Sequence, residues 1–102
     1  MKSTVGLENS VKNVVTKVPF VVKGLEAREV SVTGDFTRWS VEGIPLAKRR
    51  DGAWETTLAL EPGEYQYRLR VNGEWRSDQN AQKRVANPYG SENCVLEVRR
   101  GI

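Results

Sequence analysis

The segment 63–72 alternates strictly between two kinds of side chain, and it constrains the fold more than any other run in the sequence. Successive side chains of a β-strand point to opposite faces, so this alternation predicts a strand with one buried and one solvated face. The predicted inward residues are Tyr65, Tyr67, Leu69 and Val71, and the predicted outward residues are Glu64, Gln66, Arg68 and Arg70.

Four other segments carry strand patterns, and tight-turn dipeptides separate several of them. The segment 18–23 is rich in β-formers, 28–33 alternates with Thr33 on the outward face, and 54–60 and 94–98 alternate in the same way. Reversals are predicted at Asp51-Gly52, Pro62-Gly63 and Asn72-Gly73. Short strands at this spacing predict an all-β sandwich. On this pattern Trp54 belongs to the core, and Cys94 is a small buried hydrophobe.

The first residues lack this regularity. We divide the chain into an N-terminal arm, residues 1–13, and a β-sandwich domain, residues 14–102. Four valines at helical spacing leave a short helix open as an alternative to an irregular arm, although Pro19 limits its extension. We see neither a signal peptide nor a membrane span.

Two tryptophans stand apart from the core pattern. Trp39 and Trp75 each follow a strand-like segment at a predicted turn, where a large aromatic side chain is hard to bury. Exposed aromatic residues add little to the stability of a monomer, so a matched pair predicts a binding platform. Flat indole faces suit a flat apolar ligand face, which a sugar ring or a nucleobase provides.

Composition excludes several kinds of catalytic site. The chain has no histidine and one cysteine, which excludes a Ser-His-Asp triad, a Cys-His dyad and an internal disulfide. We expect no metal, no cofactor and a cytoplasmic, reducing compartment. The acidic residues fall at turns or among Lys and Arg, and they form no evident carboxylate pair for glycoside hydrolysis. We therefore predict no catalytic residues and no enzymatic activity.

The net charge is +3, and its one local excess is Lys48-Arg49-Arg50. We interpret that run as a solvated hairpin end rather than a nucleic-acid patch.

Five ordered blocks resemble the family-48 carbohydrate-binding modules, which include the glycogen-binding domain of the AMP-activated kinase β subunit and the N-terminal domains of isoamylases and branching enzymes. The likeness covers about residues 18–98, and its blocks are 30–39, 44–46 with 52–54, 60–68, 71–75 and 87–96. The resemblance implies an immunoglobulin-like β-sandwich that binds α-1,4-glucan as glycogen, maltooligosaccharide or cyclodextrin. It also implies a glycogen-metabolism enzyme or kinase as a protein partner.

The resemblance also implies which residues touch the glucan. Family members use two tryptophans, a cation on the strand between them, an asparagine near the last strand and a further apolar residue. The matching positions, with Ser91 added as a weaker candidate, are Trp39, Arg68, Trp75, Tyr89, Ser91 and Asn93. Two of them depart from the kinase subunit, which has a lysine at the position of Arg68 and a leucine at that of Tyr89.

The sequence thus favours non-catalytic binding of glycogen-like or starch-like α-glucan. Two alternatives stay open at this point. One is an adaptor of the same fold whose exposed aromatics dock a protein, because Trp and Arg are also enriched at protein hot spots. The other is a single-strand nucleic-acid binder, against which the modest charge counts, so we expect neither nucleic acid nor membrane as a partner.

Overall fold

A computed structural model describes residues 15–99, so the predicted arm, residues 1–13, lies outside the described part of the chain. The described chain consists of short strands with one 3₁₀ turn at Asp35–Thr37. No helix in this part is long and apolar enough to cross a membrane. The strands are β1 Thr16–Val22, β2 Val30–Gly34, β3 Ile44–Pro45, β4 Ala47–Lys48, β5 Trp54–Leu60, β6 Gly63–Val71, β7 Glu74–Arg76, β8 Arg84–Ala86 and β9 Glu92–Val98.

The smaller sheet has the order β1-β5-β4 and is antiparallel. Its central strand β5 has the predicted phase, because Trp54, Leu58 and Leu60 are buried while Thr56 is partly exposed. The indole N–H of Trp54 donates to the carbonyl of Leu25 at 3.4 Å. Trp54 is therefore a core residue, as its position in the alternation predicts.

The larger sheet has the order β3-β2-β6-β9-β8, with β7 also paired to β6. Strand β2 covers one edge of β6 from Tyr67 to Val71, so β7 shares the other edge of β6 with β9. Strand β6 is thus the long central strand of this sheet. The predicted inward face of β6 is confirmed, because Tyr67, Leu69 and Val71 are buried and Tyr65 packs against the core.

The two sheets face each other across one apolar core, which confirms the predicted sandwich. The ring of Phe20 on β1 meets that of Tyr67 on β6 edge to face, with centroids 5.3 Å apart and planes at 86°. Both sheets contribute to the core, whose buried members are Phe20, Val22, Val30, Val32, Leu46, Trp54, Leu58, Leu60, Tyr67, Leu69, Val71, Cys94 and Val98.

The prediction for one outward residue of the strand pattern is wrong. Thr33 was expected on the solvated face of β2, but it is fully buried because the 3₁₀ turn and the loop after it cover that end of the strand. Its hydroxyl contacts the Thr37 hydroxyl at 2.7 Å and donates to the carbonyl of Ser40 at 2.6 Å. Thr33 can be buried because the following turn covers it and because its hydroxyl has hydrogen-bond partners there.

Asp78 lies in the loop after β7, in a polar stretch of sequence, and it is nevertheless buried, with 4 % of its surface exposed. Its carboxylate accepts hydrogen bonds from the Tyr67 hydroxyl at 2.7 Å and from the backbone N–H of Asn80 at 2.9 Å. Burial, together with the hydrogen bond to Asp78, raises the pKa of the Tyr67 phenol. Burial likewise raises the pKa of the Cys94 thiol, whose Sγ lies 3.7 Å from the carbonyl of Asp78.

Candidate functional site

Arg68 occupies a break in the pairing of the central strand. The ladder between β6 and β9 ends at Tyr67, and the ladder between β6 and β7 starts at Leu69. On its other edge Arg68 is paired with Thr33 of β2. The side chain of Arg68 belongs to the outward face of β6, so it stands where the edge of the sheet changes from one strand to another.

Trp39 is placed by a constrained turn. Gly34 closes β2 so tightly against β6 that a Cβ there would overlap the carbonyl oxygen of Gln66. Arg38 and Trp39 then adopt left-handed backbone angles, φ 55° and 59°, which are costly for residues with a side chain. Two hydrogen bonds hold the result: the Trp39 N–H donates to the Gly34 carbonyl at 2.9 Å, and the indole N–H donates to Asp35 at 3.0 Å.

Asp35 connects this turn to the central strand. While one carboxylate oxygen accepts from the indole of Trp39, the other accepts from the backbone N–H of Gln66 at 2.7 Å. Asp35 therefore bonds both the backbone of β6 and the side chain of Trp39, and its bond to the indole N–H fixes the direction of that ring. Backbone strain at two adjacent residues, held by such contacts, is typical of functional positions.

Trp75 lies on β7 rather than at a loop tip, directly after the Asn72-Gly73 turn. It is paired across the ladder with Arg70, whose guanidinium carbon lies 4.8 Å from the centroid of the indole ring. This geometry is a cation–π contact that covers one face of the ring. Trp75 is 39 % exposed, whereas Trp39 is only partly exposed. Their ring centroids are 6.4 Å apart and the planes are tilted by 42°.

The loop between β8 and β9 is organised by Asn87. Its side-chain oxygen accepts from the backbone N–H groups of Tyr89 at 3.0 Å and Ser91 at 3.1 Å. Its side-chain nitrogen donates to Asn93 at 3.1 Å, and Asn93 donates in turn to Gln66 at 3.0 Å. Tyr89 stands at the tip of this loop and is 91 % exposed.

These elements enclose one groove of about 650 Å³. The structure brings all the residues predicted from the sequence to this groove and adds Asn87 and Pro88. The complete lining is Trp39, Arg68, Trp75, Asn87, Pro88, Tyr89, Ser91 and Asn93. The groove thus combines three aromatic rings, one cation and several neutral hydrogen-bonding groups, which is the chemistry of a ligand with apolar faces and hydroxyl edges.

The electrostatics of the groove are set by Arg68. No carboxylate is part of the lining, and Arg68 makes no ion pair within residues 15–99. Its Nε atom is buried and has no hydrogen-bond partner there. A buried donor without an acceptor is costly, and the guanidinium that carries it lines the groove as a hydrogen-bond donor for an oxygen of a ligand.

Outside the groove, Lys48-Arg49-Arg50 leads from β4 into an exposed turn, where Arg49 pairs with Asp51 at 3.0 Å and Glu55 at 3.7 Å. In the described range, no group of three or more acidic or cysteine side chains is arranged to hold a metal ion.

Sequence reasoning missed the residues that position others. Asn87 has a recognisable signal, because an Asn two residues before an exposed turn residue commonly bonds the backbone ahead of it. The bond between Asn93 and Gln66 joins two strands, and the bond between Asp35 and Gln66 spans 31 residues. No local pattern reports such partners.

The sequence that forms this groove is similar to sequences of known proteins. A family model described as the glycogen recognition site of AMP-activated protein kinase matches residues 16–101. The human 5'-AMP-activated protein kinase subunit beta-2 is 34 % identical over 95 residues, which cover 92 % of this chain and 34 % of that protein. The chloroplastic phosphoglucan phosphatase LSF1 of Arabidopsis thaliana is 39 % identical over 79 residues, covering 78 % of this chain and 13 % of that protein.

A bacterial enzyme carries a related segment. The 1,4-alpha-glucan branching enzyme GlgB of Salinibacter ruber is 41 % identical over 58 residues, which cover 55 % of this chain and 9 % of the enzyme. The chain spans about a third of the length of the kinase subunits it matches, and far less of the phosphatase and the branching enzyme. These matches confirm the resemblance drawn from the five sequence blocks.

Proposed function

This chain belongs to the family of glycogen recognition modules found in AMP-activated protein kinase, and we propose that its groove binds linear α-1,4-glucan without catalysis. The convergence of Trp39, Arg68, Trp75, Tyr89, Ser91 and Asn93 on one groove carries this proposal. The names of the relatives support it, since they include a kinase subunit, a phosphoglucan phosphatase and a glucan branching enzyme.

The proposed mode of binding follows from the tilt of the two indoles. A chain of α-1,4-linked glucose curves, so two rings at 42° and 6.4 Å between centroids suit it better than a flat platform would. The CH-rich faces of glucose rings stack on Trp39 and Trp75, and each stack contributes about 1–3 kcal/mol by analogy with base stacking. Tyr89 adds a third apolar surface from the opposite loop.

Arg68 and Asn93 fix the orientation of the sugar by hydrogen bonds to ring hydroxyls. Asn93 already uses its oxygen and its nitrogen within the protein, so it contributes through remaining lone-pair and N–H capacity. Binding to a single oligosaccharide should be weak, because a few stacking contacts and hydrogen bonds must offset the entropy lost on binding. A polymer offers many sites at once, and attachment to it therefore depends on repeated engagement.

Catalysis is absent from this proposal for a chemical reason. Hydrolysis of a glycosidic bond requires two carboxyl groups about 5–10 Å apart across the substrate. No carboxylate of residues 15–99 lines the groove, and the carboxylate of Asp35 already accepts from two N–H donors. The isolated chain should release no reducing sugar from glycogen, starch or maltooligosaccharides.

Binding is tested by titrating maltoheptaose or β-cyclodextrin while following tryptophan fluorescence, with glycogen-containing native gels as a second assay. Trp39→Ala and Trp75→Ala should each weaken binding about tenfold or more, while the fold stays intact. Trp75→Phe should retain part of the affinity because it keeps a flat apolar ring. Val41→Ala removes an exposed apolar side chain outside the groove and serves as the control. Unchanged affinity in both alanine variants would contradict the proposed platform.

A protein partner is the second part of the proposal. The chain spans about a third of kinase β subunits, so a kinase or a glycogen-metabolism enzyme is the expected protein that such a module brings to glucan. The alternative, an adaptor whose groove has no glucan function, is favoured by the 91 % exposure of Tyr89, since an exposed aromatic also suits a protein surface. Retention on insoluble amylose, abolished by Trp75→Ala, would exclude that alternative. The buried free thiol of Cys94 fits a cytoplasmic setting.

A further inference from the structure

The outward face of β6 carries two arginines without carboxylate partners. Within residues 15–99, ion pairs involve Arg49, Arg76, Lys83 and Arg99, but neither Arg68 nor Arg70. Arg70 is engaged by the ring of Trp75, whereas Arg68 lines the groove with a buried Nε that has no partner. The groove therefore has one guanidinium that forms no ion pair with a residue of the described range 15–99.

The nearby acidic residues bond other groups and form no ion pair with Arg68, and Glu64 on the same face of β6 pairs with Lys83 at 3.2 Å. The carboxylate of Asp35 accepts from the Trp39 indole and from the N–H of Gln66. Glu74 is exposed and lies 3.8 Å from Arg76, and Glu92 is exposed and is not part of the groove lining. A neutral sugar satisfies the donors of Arg68 but leaves its charge without a counter-ion.

We propose that the groove prefers α-glucan carrying a phosphate monoester, with the phosphate held by Arg68 beside the stacked sugar rings. This inference rests on the proposed glucan function of the same groove. A guanidinium presents a planar fork of N–H donors that matches two phosphate oxygens at once. A phosphate monoester carries nearly two negative charges at neutral pH, so it supplies both hydrogen-bond acceptors and a negative counter-charge for Arg68.

The surrounding groups add to this preference and do not oppose it. The backbone and side-chain amides of the 87–91 loop and Asn93 are neutral, and the described part of the chain places no carboxylate in the lining to repel an anion. Because Arg68 is partly buried, its attraction to phosphate is screened less by salt than that of a fully exposed arginine. Phosphate recognition then depends on the sugar, since stacking on Trp39 and Trp75 holds the ester next to the guanidinium.

The test compares maltoheptaose with maltoheptaose that carries one phosphate ester on a primary hydroxyl, using the whole chain and tryptophan fluorescence. The phosphorylated sugar should bind about fivefold to tenfold more tightly, and the difference should shrink as salt is added. Arg68→Gln should abolish the difference, and Arg68→Lys should keep only part of it because the charge remains but the fork is lost. Arg50→Gln, which removes one positive charge from the exposed turn before β5, should leave the difference unchanged.

The outcomes separate the two proposals. Equal affinity for both sugars overturns the phosphate preference and leaves glucan binding intact, whereas no binding of either sugar overturns glucan binding itself. A preference that survives in Arg68→Gln places phosphate recognition elsewhere and also overturns the inference. Inorganic phosphate alone should not displace neutral maltoheptaose. Displacement would overturn the inference, because phosphate would then bind without the sugar. If Arg68→Gln does not fold, two other results test the inference. The wild-type preference for the phosphorylated sugar should shrink with added salt, and Arg68→Lys should keep only part of it.

Discussion

Asp35 should control glucan affinity without touching the sugar, because its carboxylate joins the indole of Trp39 to the backbone of β6. The two hydrogen bonds, 3.0 Å to the indole N–H and 2.7 Å to the N–H of Gln66, hold a turn with two adjacent left-handed residues. Without them the turn can relax its strain by moving the ring out of the groove.

The magnitude follows from these contacts. A hydrogen bond to a charged acceptor contributes about 1.5–3 kcal/mol when well shielded, and Asp35 is exposed, so we take about 1 kcal/mol for each bond. Asp35→Ala should lower the free energy of unfolding by about 1–2 kcal/mol. Glucan affinity should fall about threefold to tenfold, which is less than the loss of the whole stacking contribution of Trp39.

Asp35→Asn gives a sharper test of geometry. Both carboxylate oxygens accept from N–H donors, and an amide has only one oxygen, so its NH₂ must face one of those donors. Asparagine can keep one of the two bonds, so its glucan affinity should lie between those of the wild type and Asp35→Ala although it matches aspartate in size. Affinity is measured by fluorescence titration with maltoheptaose, and stability by thermal and urea unfolding.

A double-mutant cycle decides whether Asp35 acts through the ring. In a Trp39→Ala background, Asp35→Ala should cause no further loss of affinity, because the group that Asp35 positions is already gone. An equal loss in both backgrounds would refute the positioning role and would instead indicate that Asp35 affects the ligand directly or the whole sheet.

Three further predictions concern the core and the strand beside the groove. Trp54→Ala should destabilise the chain by about 3–5 kcal/mol in urea unfolding, since a buried indole is removed, and an unchanged midpoint would contradict the phase of β5. Gly34→Ala should lower the melting temperature strongly although φ is extended, because the added Cβ would overlap the Gln66 carbonyl and lie 2.8 Å from the Tyr67 Cα; a normal melting temperature would refute this close approach. The raised pKa of Tyr67 means that the folded state keeps the phenol proton where the unfolded chain releases it, so stability should fall as pH rises above the unfolded value of 10.0. Tyr67→Phe should remove part of that alkaline fall, and equal slopes for both proteins would contradict the assignment.

The sequence predicts the inward face of β6 better than its outward face. Tyr67, Leu69 and Val71 could be assigned to the core because alternation is a local property that survives in almost any sheet. Their outward neighbours Arg68 and Arg70 look alike in the sequence, and pattern cannot choose between them. The structure separates them, because Arg70 packs on an indole and Arg68 enters the groove.

Predictions failed where the deciding contact is distant. Thr33 follows the strand pattern, yet a turn from the next segment buries it. Asp78 lies in a polar stretch that gives no local sign of burial, and the fold brings the Tyr67 hydroxyl, 11 residues away, to its carboxylate. Trp75 was expected at a turn tip, but the short strand β7 forms because β6 continues past the end of β9 and offers a free edge.

The same strand therefore builds the core and the groove, which makes the two interdependent. Arg68 follows Tyr67 directly, and Asn93 precedes Cys94, so two of the eight groove residues are covalently next to a residue of the buried cluster formed by Tyr67, Asp78 and Cys94. Tyr67 and Cys94 pair with each other at the end of the ladder between β6 and β9, directly before the gap that Arg68 occupies. A change that weakens the cluster, such as Tyr67→Phe, should thus lower glucan affinity even though none of its members lines the groove. The affinity should fall while the variant is still folded, because the expected cause is a wider gap beside Arg68 and not global unfolding.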